Sequence, residues 1–264
     1  MALMTRVVEL RAMQYRRTFR ASIFSSFLSP VLFLASMGIG LGLYVDQSPS
    51  ATAALGGLTY LQFLAPGLLA ATAMQAAAFE ATFPIMAGLE WQKVFHAMYA
   101  TPIRPRDIVL GNLTWIAIRL TSISAIFVIV MTLFGAAASP LILLAIPAAV
   151  LTGMAFATPI AAFSATQRTP EKFNAVFRFG ITPLFLFSGT FYPVESLPAI
   201  VQPLAWLTPL YHGVVLARGL SLGTIGTSSL PPELALLHLG VLIAFTAIGT
   251  WATVKTVTAK LLRG

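Results

Sequence analysis

Residues 80–107 read EATFPIMAGLEWQKVFHAMYATPIRPRD, a polar stretch between two long apolar runs. A helical wheel of residues 90–100 separates an apolar face from a polar face. The apolar face holds Trp91, Val94, Phe95, Met98 and Tyr99, and the polar face holds Glu90, Gln92, Lys93 and His96. The prolines at 102 and 105 disfavour helix in the residues before them. The pattern predicts a short amphipathic helix over residues 90–100, which either docks a partner or floats at the membrane interface.

The composition of the chain is that of a membrane protein. Of 264 residues, 58% are hydrophobic and 9% are charged, and the mean hydropathy is +0.87. Soluble domains carry about 25% charged residues, so much of this surface must face lipid. The absence of cysteine excludes disulfides and thiolate metal sites.

Six apolar runs are predicted to cross a bilayer as helices, which takes about 20 residues each. The fifth has only sixteen uncharged residues, 179–194, so its helix is expected to begin near Phe173 with Arg178 extended towards the cytoplasm. We therefore predict an all-α integral membrane fold, with residues 21–264 forming one transmembrane domain. The predicted spans are 22–44, 60–83, 108–134, 141–165, 174–192 and 233–254.

The positive charges predict the orientation. If six spans alternate, fourteen of the sixteen Lys and Arg residues fall on one side, whereas the opposite loops hold only Arg218. Cytoplasmic loops are enriched in Lys and Arg, so both termini are predicted to be cytoplasmic. The net charge of +8 then reflects loops that face anionic membrane lipid, and not a nucleic-acid partner.

Two further segments lie outside the predicted spans, one before the first span and one between the fifth and the sixth. Residues 1–20 carry five arginines and one acid, and they predict either a basic amphipathic helix on an anionic membrane surface or a disordered basic tail. Residues 197–218 are too apolar for a plain loop and too rich in proline for a span. We expect them to form outer-leaflet re-entrant helices packed against protein.

Glu80 and Arg119 are the charges that the predicted spans place within the membrane. A lone buried charge is costly there. They could mark the ends of a polar path or form a pair that joins the second and third spans. Alternatively, Glu80 lies close enough to the cytoplasmic interface to be hydrated, although this is harder for Arg119.

No catalytic or metal-binding constellation is visible in the sequence. His96, His212 and His238 lack an acid at metal-ligand spacing, and neither a nucleophile-elbow motif nor a phosphate-binding loop occurs. If ATP drives transport, the ATPase is another chain. The aromatic run PLFLFSGTFYP at residues 183–193 is also compatible with an ordinary interfacial belt.

Four ordered segments resemble the permease subunits of ABC-2 type exporters, which have the type V exporter fold. The nearest branch contains the rhizobial nodulation-factor exporter permease and actinobacterial drug and antibiotic exporter permeases. The segments are FLAPGLLAATAMQAAAFEATFPIM (63–86), ATPIRPRDIVLGNLTW (100–115), PLFLFSGTFYPVESLP (183–198) and PLAWLTPLYHGVVLARG (203–219).

The resemblance implies roles for several of these segments. Residues 1–20 would be a connecting helix, and residues 90–100 would be a cytoplasmic coupling helix that meets the ATPase. The implied coupling residues are Glu90, Trp91, Lys93, Phe95, His96 and Met98. Phe95 and Trp91 would anchor the helix in a hydrophobic slot, and the charged residues would set partner choice. Phe187 and Phe191 would lie near an outer hydrophobic gate.

The resemblance also implies an assembly in a bacterial cytoplasmic membrane. Two permease subunits, of like or unlike chains, would pair with two ATPase subunits that carry ATP and Mg²⁺. The substrate would be an amphiphile, such as a drug, an antibiotic, a lipid or a glycolipid, exported by alternating access. The alternatives are an ATP-independent secondary transporter, which would show internal repeats, and a membrane-embedded enzyme, which would need converging polar residues.

Overall fold

The computed structural model describes residues 2–16 and 19–263. The chain is 79% helical, and the described residues form no β-strand, which confirms the predicted all-α class. The helices are α1 (Ala2–Tyr15), α2 (Phe19–Phe33), α3 (Gly42–Val45), α4 (Pro49–Ala54), α5 (Tyr60–Ala81), α6 (Phe83–Met86), α7 (Val94–Tyr99), α8 (Pro105–Leu133), α9 (Ile142–Ser164), α10 (Glu171–Ala175), α11 (Thr182–Phe187), α12 (Gln202–Trp206), α13 (Pro209–Leu222) and α14 (Pro232–Arg263).

Wide π-helical turns extend or join several of these helices. They occupy Leu34–Leu41 between α2 and α3, Ala87–Trp91 after α6, and Val176–Ile181 between α10 and α11. Such turns are rare and often lie at functional sites.

Within the described residues, five helical stretches are long and apolar enough to cross a membrane. They are Ser26–Val45, Tyr60–Trp91, Pro105–Leu133, Ile142–Ser164 and Pro232–Leu262. They overlap five of the six predicted spans.

The predicted fifth span, residues 174–192, differs from the observed helix. The helical residues run from Glu171 to Phe187, which corresponds to about 25 Å at 1.5 Å per residue. A hydrocarbon core is about 30 Å thick, so this helix is short for a full crossing. It ends at Phe187 and not at 192 because Gly189 adopts φ +82, a left-handed conformation that glycine accepts readily.

Local signals account for several helix boundaries. Thr59 caps α5 and forms a reciprocal capping box with Gln62. Thr208 caps α13, which Gly223 terminates with φ +73. The sequence predicts outer-leaflet helices over residues 197–218. The helices in this region are α12 and α13, which are separated at Leu207–Thr208, and α13 continues to Leu222.

The centre of the bundle is α9, which contacts α5, α8, α13 and α14. Close approach to α5 is possible because Gly153 on α9 lacks a side chain: a Cβ there would lie 2.9 Å from the carbonyl oxygen of Ala73. The alanine-rich part of α5 supplies the matching surface, with Ala70, Ala73 and Ala77 fully buried. Small residues of this kind allow helix backbones to approach in membranes.

The amino-terminal helix packs on α8. It ends at Tyr15, short of the predicted boundary at residue 20. Positions 17 and 18 lie outside the described residues, and α2 begins at Phe19. The predicted basic helix also packs on protein, because Val7 is 1% exposed and a Cβ on Gly111 of α8 would lie 2.6 Å from the Cβ of Val7. Its contact with the membrane surface stays a prediction.

Candidate functional site at the basic end of the bundle

The polar stretch at residues 80–107 lies at one end of the bundle, together with the carboxyl ends of α9 and α14. We call this the basic end. The prediction of one continuous helix over residues 90–100 is wrong. Its π turn ends at Trp91, Lys93 adopts a left-handed conformation with φ 51, and α7 begins at Val94. The break at Lys93 reorients the chain, so the residues before it and the residues after it do not share one helix axis.

The break places the ring of Phe95 inside the protein. Phe95 is 1% exposed and packs on Gly88, where a Cβ would lie 2.9 Å from the ring atom Cε1. The Arg11 guanidinium of α1 lies 5.8 Å from the ring centroid. Phe95 therefore cannot anchor the segment to a partner as the resemblance implied, because its ring already fills an internal site.

Other side chains of the segment are exposed on its surface. Trp91 is 60% exposed and Tyr99 is 37% exposed, and Gln92 and Lys93 are also exposed. We call these four residues the docking face. Met98 is half-buried and packs against the internal cluster around Phe95.

Beside the docking face lies a cleft of about 640 Å³, which we call the basic cleft. The end of the π turn, the loop after α9 and the carboxyl end of α14 form its walls. Its lining consists of Leu89, Glu90, Lys93, His96, Ala165, Thr166, Arg168, Thr256, Ala259 and Lys260. Glu90 forms an ion pair with Lys260, which ties the polar stretch to α14.

The structure brings Glu80 and Arg119 together. Arg119 Nε donates to Glu80 Oε1 at 3.3 Å. The side chain of Arg119 is 13% exposed and that of Glu80 is 22% exposed. The guanidinium also lies 4.1 Å from the ring centroid of Tyr15. We call this group the polar junction, since it joins α1, α5 and α8.

Arg11 extends the polar junction towards the basic end. Its Nε donates to Oδ1 of Asn112 at 2.7 Å. Burial lowers the pKa of Arg11 from its ordinary value, and the charge of Glu80 opposes that shift.

Residues 5–222 match the profile of the ABC-2 type transporter family. The chain belongs to the ABC-2 type transporter family. This result confirms the resemblance and makes the chain a multi-pass permease of a bacterial inner membrane, a transport subunit and not an enzyme.

Curated relatives align over most of the permease. Nodulation protein J of Rhizobium leguminosarum bv. trifolii is 30% identical over 249 residues, covering 94% of this chain and 90% of that protein. Nodulation protein J of Sinorhizobium fredii is 30% identical over 250 residues, covering 95% and 90%. Nodulation protein J of Azorhizobium caulinodans is 25% identical over 242 residues, covering 91% and 92%.

At the end of the permease opposite the basic end, the two residues proposed for the gate have different surroundings. Phe191 packs against Phe185 and Phe33, with ring centroids 5.0 and 6.2 Å apart. Phe187 is 43% exposed. Their role as a gate stays a prediction.

Sequence reasoning missed two contacts at this opposite end of the permease. His212 of α13 and His238 of α14 approach through their Nδ1 atoms at 2.6 Å. Arg218 donates to the carbonyl oxygens of Phe63 at 3.1 Å and of Gly189 at 2.9 Å. The predicted topology placed both histidines on the same side of the membrane, which was the available signal for their pairing.

Within the described ranges, no group of three or more His, Cys, Asp or Glu side chains could hold a metal ion. The basic cleft and the docking face are the candidate sites at the basic end of the permease.

Proposed function

We propose that this permease is the membrane subunit of an ATP-driven exporter, and that the basic end faces the cytoplasm. Two copies of a separate ATPase, which binds ATP and Mg²⁺, would assemble with two permease subunits. The exporter would move an amphiphile, such as a drug, an antibiotic or a glycolipid, outward by alternating access. ATP-driven closure of the ATPase subunits would push on the docking face.

One observation carries this proposal: Trp91 is 60% exposed and Tyr99 is 37% exposed on a segment whose third large aromatic side chain, Phe95, is buried. Exposed aromatic residues in a polar surrounding are typical anchors of protein interfaces. The positive-inside bias supports the cytoplasmic orientation, and membership of the ABC-2 type family implies an ABC ATPase partner in general.

Movement of the docking face would reach the bundle along two connections. The first is the covalent path through α6 into α5, which leads to Glu80 and Arg119 of the polar junction. The second is the ion pair between Glu90 and Lys260, which leads to α14. The second connection would carry the movement to α14 as well as to α5 and α8.

A matched pair of tryptophan substitutions tests the proposal. Trp91 and Trp251 are 60% and 64% exposed, but Trp251 lies on α14, inside the helical stretch that can cross the membrane. The permease is coexpressed with the ATPase of the neighbouring gene, and copurification and nucleotide hydrolysis are measured. We expect Trp91→Ala to lose the ATPase and Trp251→Ala to retain it.

Two results would count against the proposal. If no ATPase copurifies with the unmodified permease and none stimulates export of amphiphiles from vesicles, the assembly itself is wrong. If the ATPase copurifies equally with both variants, the assembly stands, but the docking face lies elsewhere.

A further inference from the structure

We propose that the basic cleft binds the phosphate headgroup of an anionic phospholipid from the leaflet at the basic end. The inference does not depend on ATP-driven export. It rests on the charge, the polar groups and the position of the cleft.

The charges of the cleft are unbalanced. With His96 counted as neutral, the lining carries Lys93, Arg168 and Lys260 against the single carboxylate of Glu90. Glu90 is engaged by Lys260. Over residues 2–16 and 19–263, no carboxylate lies within ion-pair distance of Lys93 or Arg168. Two positive charges therefore face an open cavity without compensation, which favours an anionic occupant.

Two lining residues of the cleft have energetically unfavourable features, an unsatisfied buried nitrogen in one and a strained backbone in the other. The ring Nδ1 of His96 is buried without a hydrogen-bond partner, although buried polar atoms nearly always have one. Lys93 adopts φ 51, a left-handed conformation that costs a non-glycine residue energy and recurs at binding sites. An imidazole N–H and a lysine ammonium can both donate to a phosphate oxygen.

The position of the cleft favours a lipid as the source of that phosphate. Its walls come from the ends of α9, of α14 and of the stretch that begins with α5, so it opens where spanning helices leave the bilayer. Leu89, Ala165 and Ala259 supply an apolar part of the lining for the glycerol and the first methylenes. Basic pockets between transmembrane helices at this depth are suited to anionic headgroups.

The experiment measures lipid retention by the full-length permease, purified in detergent without an ATPase. Mixed phosphatidylglycerol and phosphatidylcholine are supplied as probes, and bound lipid is counted by native mass spectrometry across a titration. The test variant is Lys93→Gln with Arg168→Gln. The control is Arg104→Gln with Arg106→Gln, which removes the same charge from exposed residues outside the cleft.

We expect the permease and the control to retain phosphatidylglycerol selectively. The test variant should bind it about twenty-five-fold more weakly, since each of the two basic side chains near an anionic lipid contributes roughly a factor of five. The charge-conserving variant Lys93→Arg with Arg168→Lys should keep most of the binding. All variants should elute as the same monodisperse species.

Three outcomes would overturn the inference. Equal losses in the test and control variants would mean that binding is a diffuse charge effect. Undiminished binding in the test variant would place the lipid elsewhere. In a separate coexpression with the ATPase, loss of copurification by the test variant, together with unchanged lipid retention by the purified permease, would assign the cleft to acidic residues of the ATPase. Because retention is measured without nucleotide or ATPase, a negative result leaves the export proposal intact.

Discussion

Substitution of Phe95 by alanine separates a packing role from a docking role at the polar stretch. The ring is 1% exposed and contacts Gly88. Truncating a buried phenylalanine to alanine costs about 3–5 kcal/mol, through lost burial and the cavity left behind. For a chain of this size each kcal/mol lowers the melting temperature by about 2–4 °C. We therefore expect a loss of about 10 °C for Phe95→Ala in the isolated permease.

The assay is thermal unfolding of the purified permease in detergent, in the absence of any ATPase. Trp91→Ala serves as the comparison, because substitutions at exposed positions usually change stability by less than about 0.5 kcal/mol. Phe95→Leu retains most of the buried volume and should recover more than half of the loss. The reasoning fails if Phe95→Ala unfolds within about 1 °C of the unmodified permease, because the ring would then not be part of the internal core.

Three further contacts within the bundle can be tested by the same unfolding assay. Glu80→Gln or Arg119→Gln alone should cost about 2 kcal/mol, since each removes one partner of an ion pair at membrane depth. The double variant should cost less than the sum of the two, and simple additivity would show that the pair is not coupled. Arg218→Lys should lower the free energy of unfolding by about 2 kcal/mol, because an ammonium cannot reproduce the guanidinium contacts to two separate carbonyl groups. Unchanged stability would show that these two hydrogen bonds do not hold α13 in place. Gly213→Ala should cost about 1–3 kcal/mol because its Cβ would overlap the side chain of Thr152, and adding Thr152→Ala should relieve it; a double variant no better than Gly213→Ala would refute that contact as the cause.

The sequence allowed the fold class and most helix positions to be predicted, because apolar length is a strong signal for spanning helices. It failed at residues 90–100, where the wheel assumed one continuous helix. A left-handed Lys93 carries no local signature, since lysine seldom adopts this conformation. That single residue decides whether Phe95 faces a partner or the core.

The contacts between distant helices were only partly accessible from the sequence. Glu80 and Arg119 could be considered as a pair because charges at membrane depth seek partners. The ion pair between Glu90 and Lys260 could not be predicted, since it depends on how α14 packs against the polar stretch. The same holds for Val7 and Gly111, because helix periodicity does not reveal which face of α1 a neighbouring helix covers.

The length of α14 connects the basic cleft to the thickness of the bilayer. Its 32 residues extend about 48 Å at 1.5 Å per residue, against a hydrocarbon core of about 30 Å. Roughly three turns must therefore emerge from the lipid or be accommodated by tilt, and hydrophobic mismatch sets the balance between the two. Lys260 lies on the last turn, where a change of tilt displaces it most. Acyl-chain length would thus shift the wall of the cleft that Lys260 forms, which makes the cleft sensitive to the thickness of the membrane as well as to its charge.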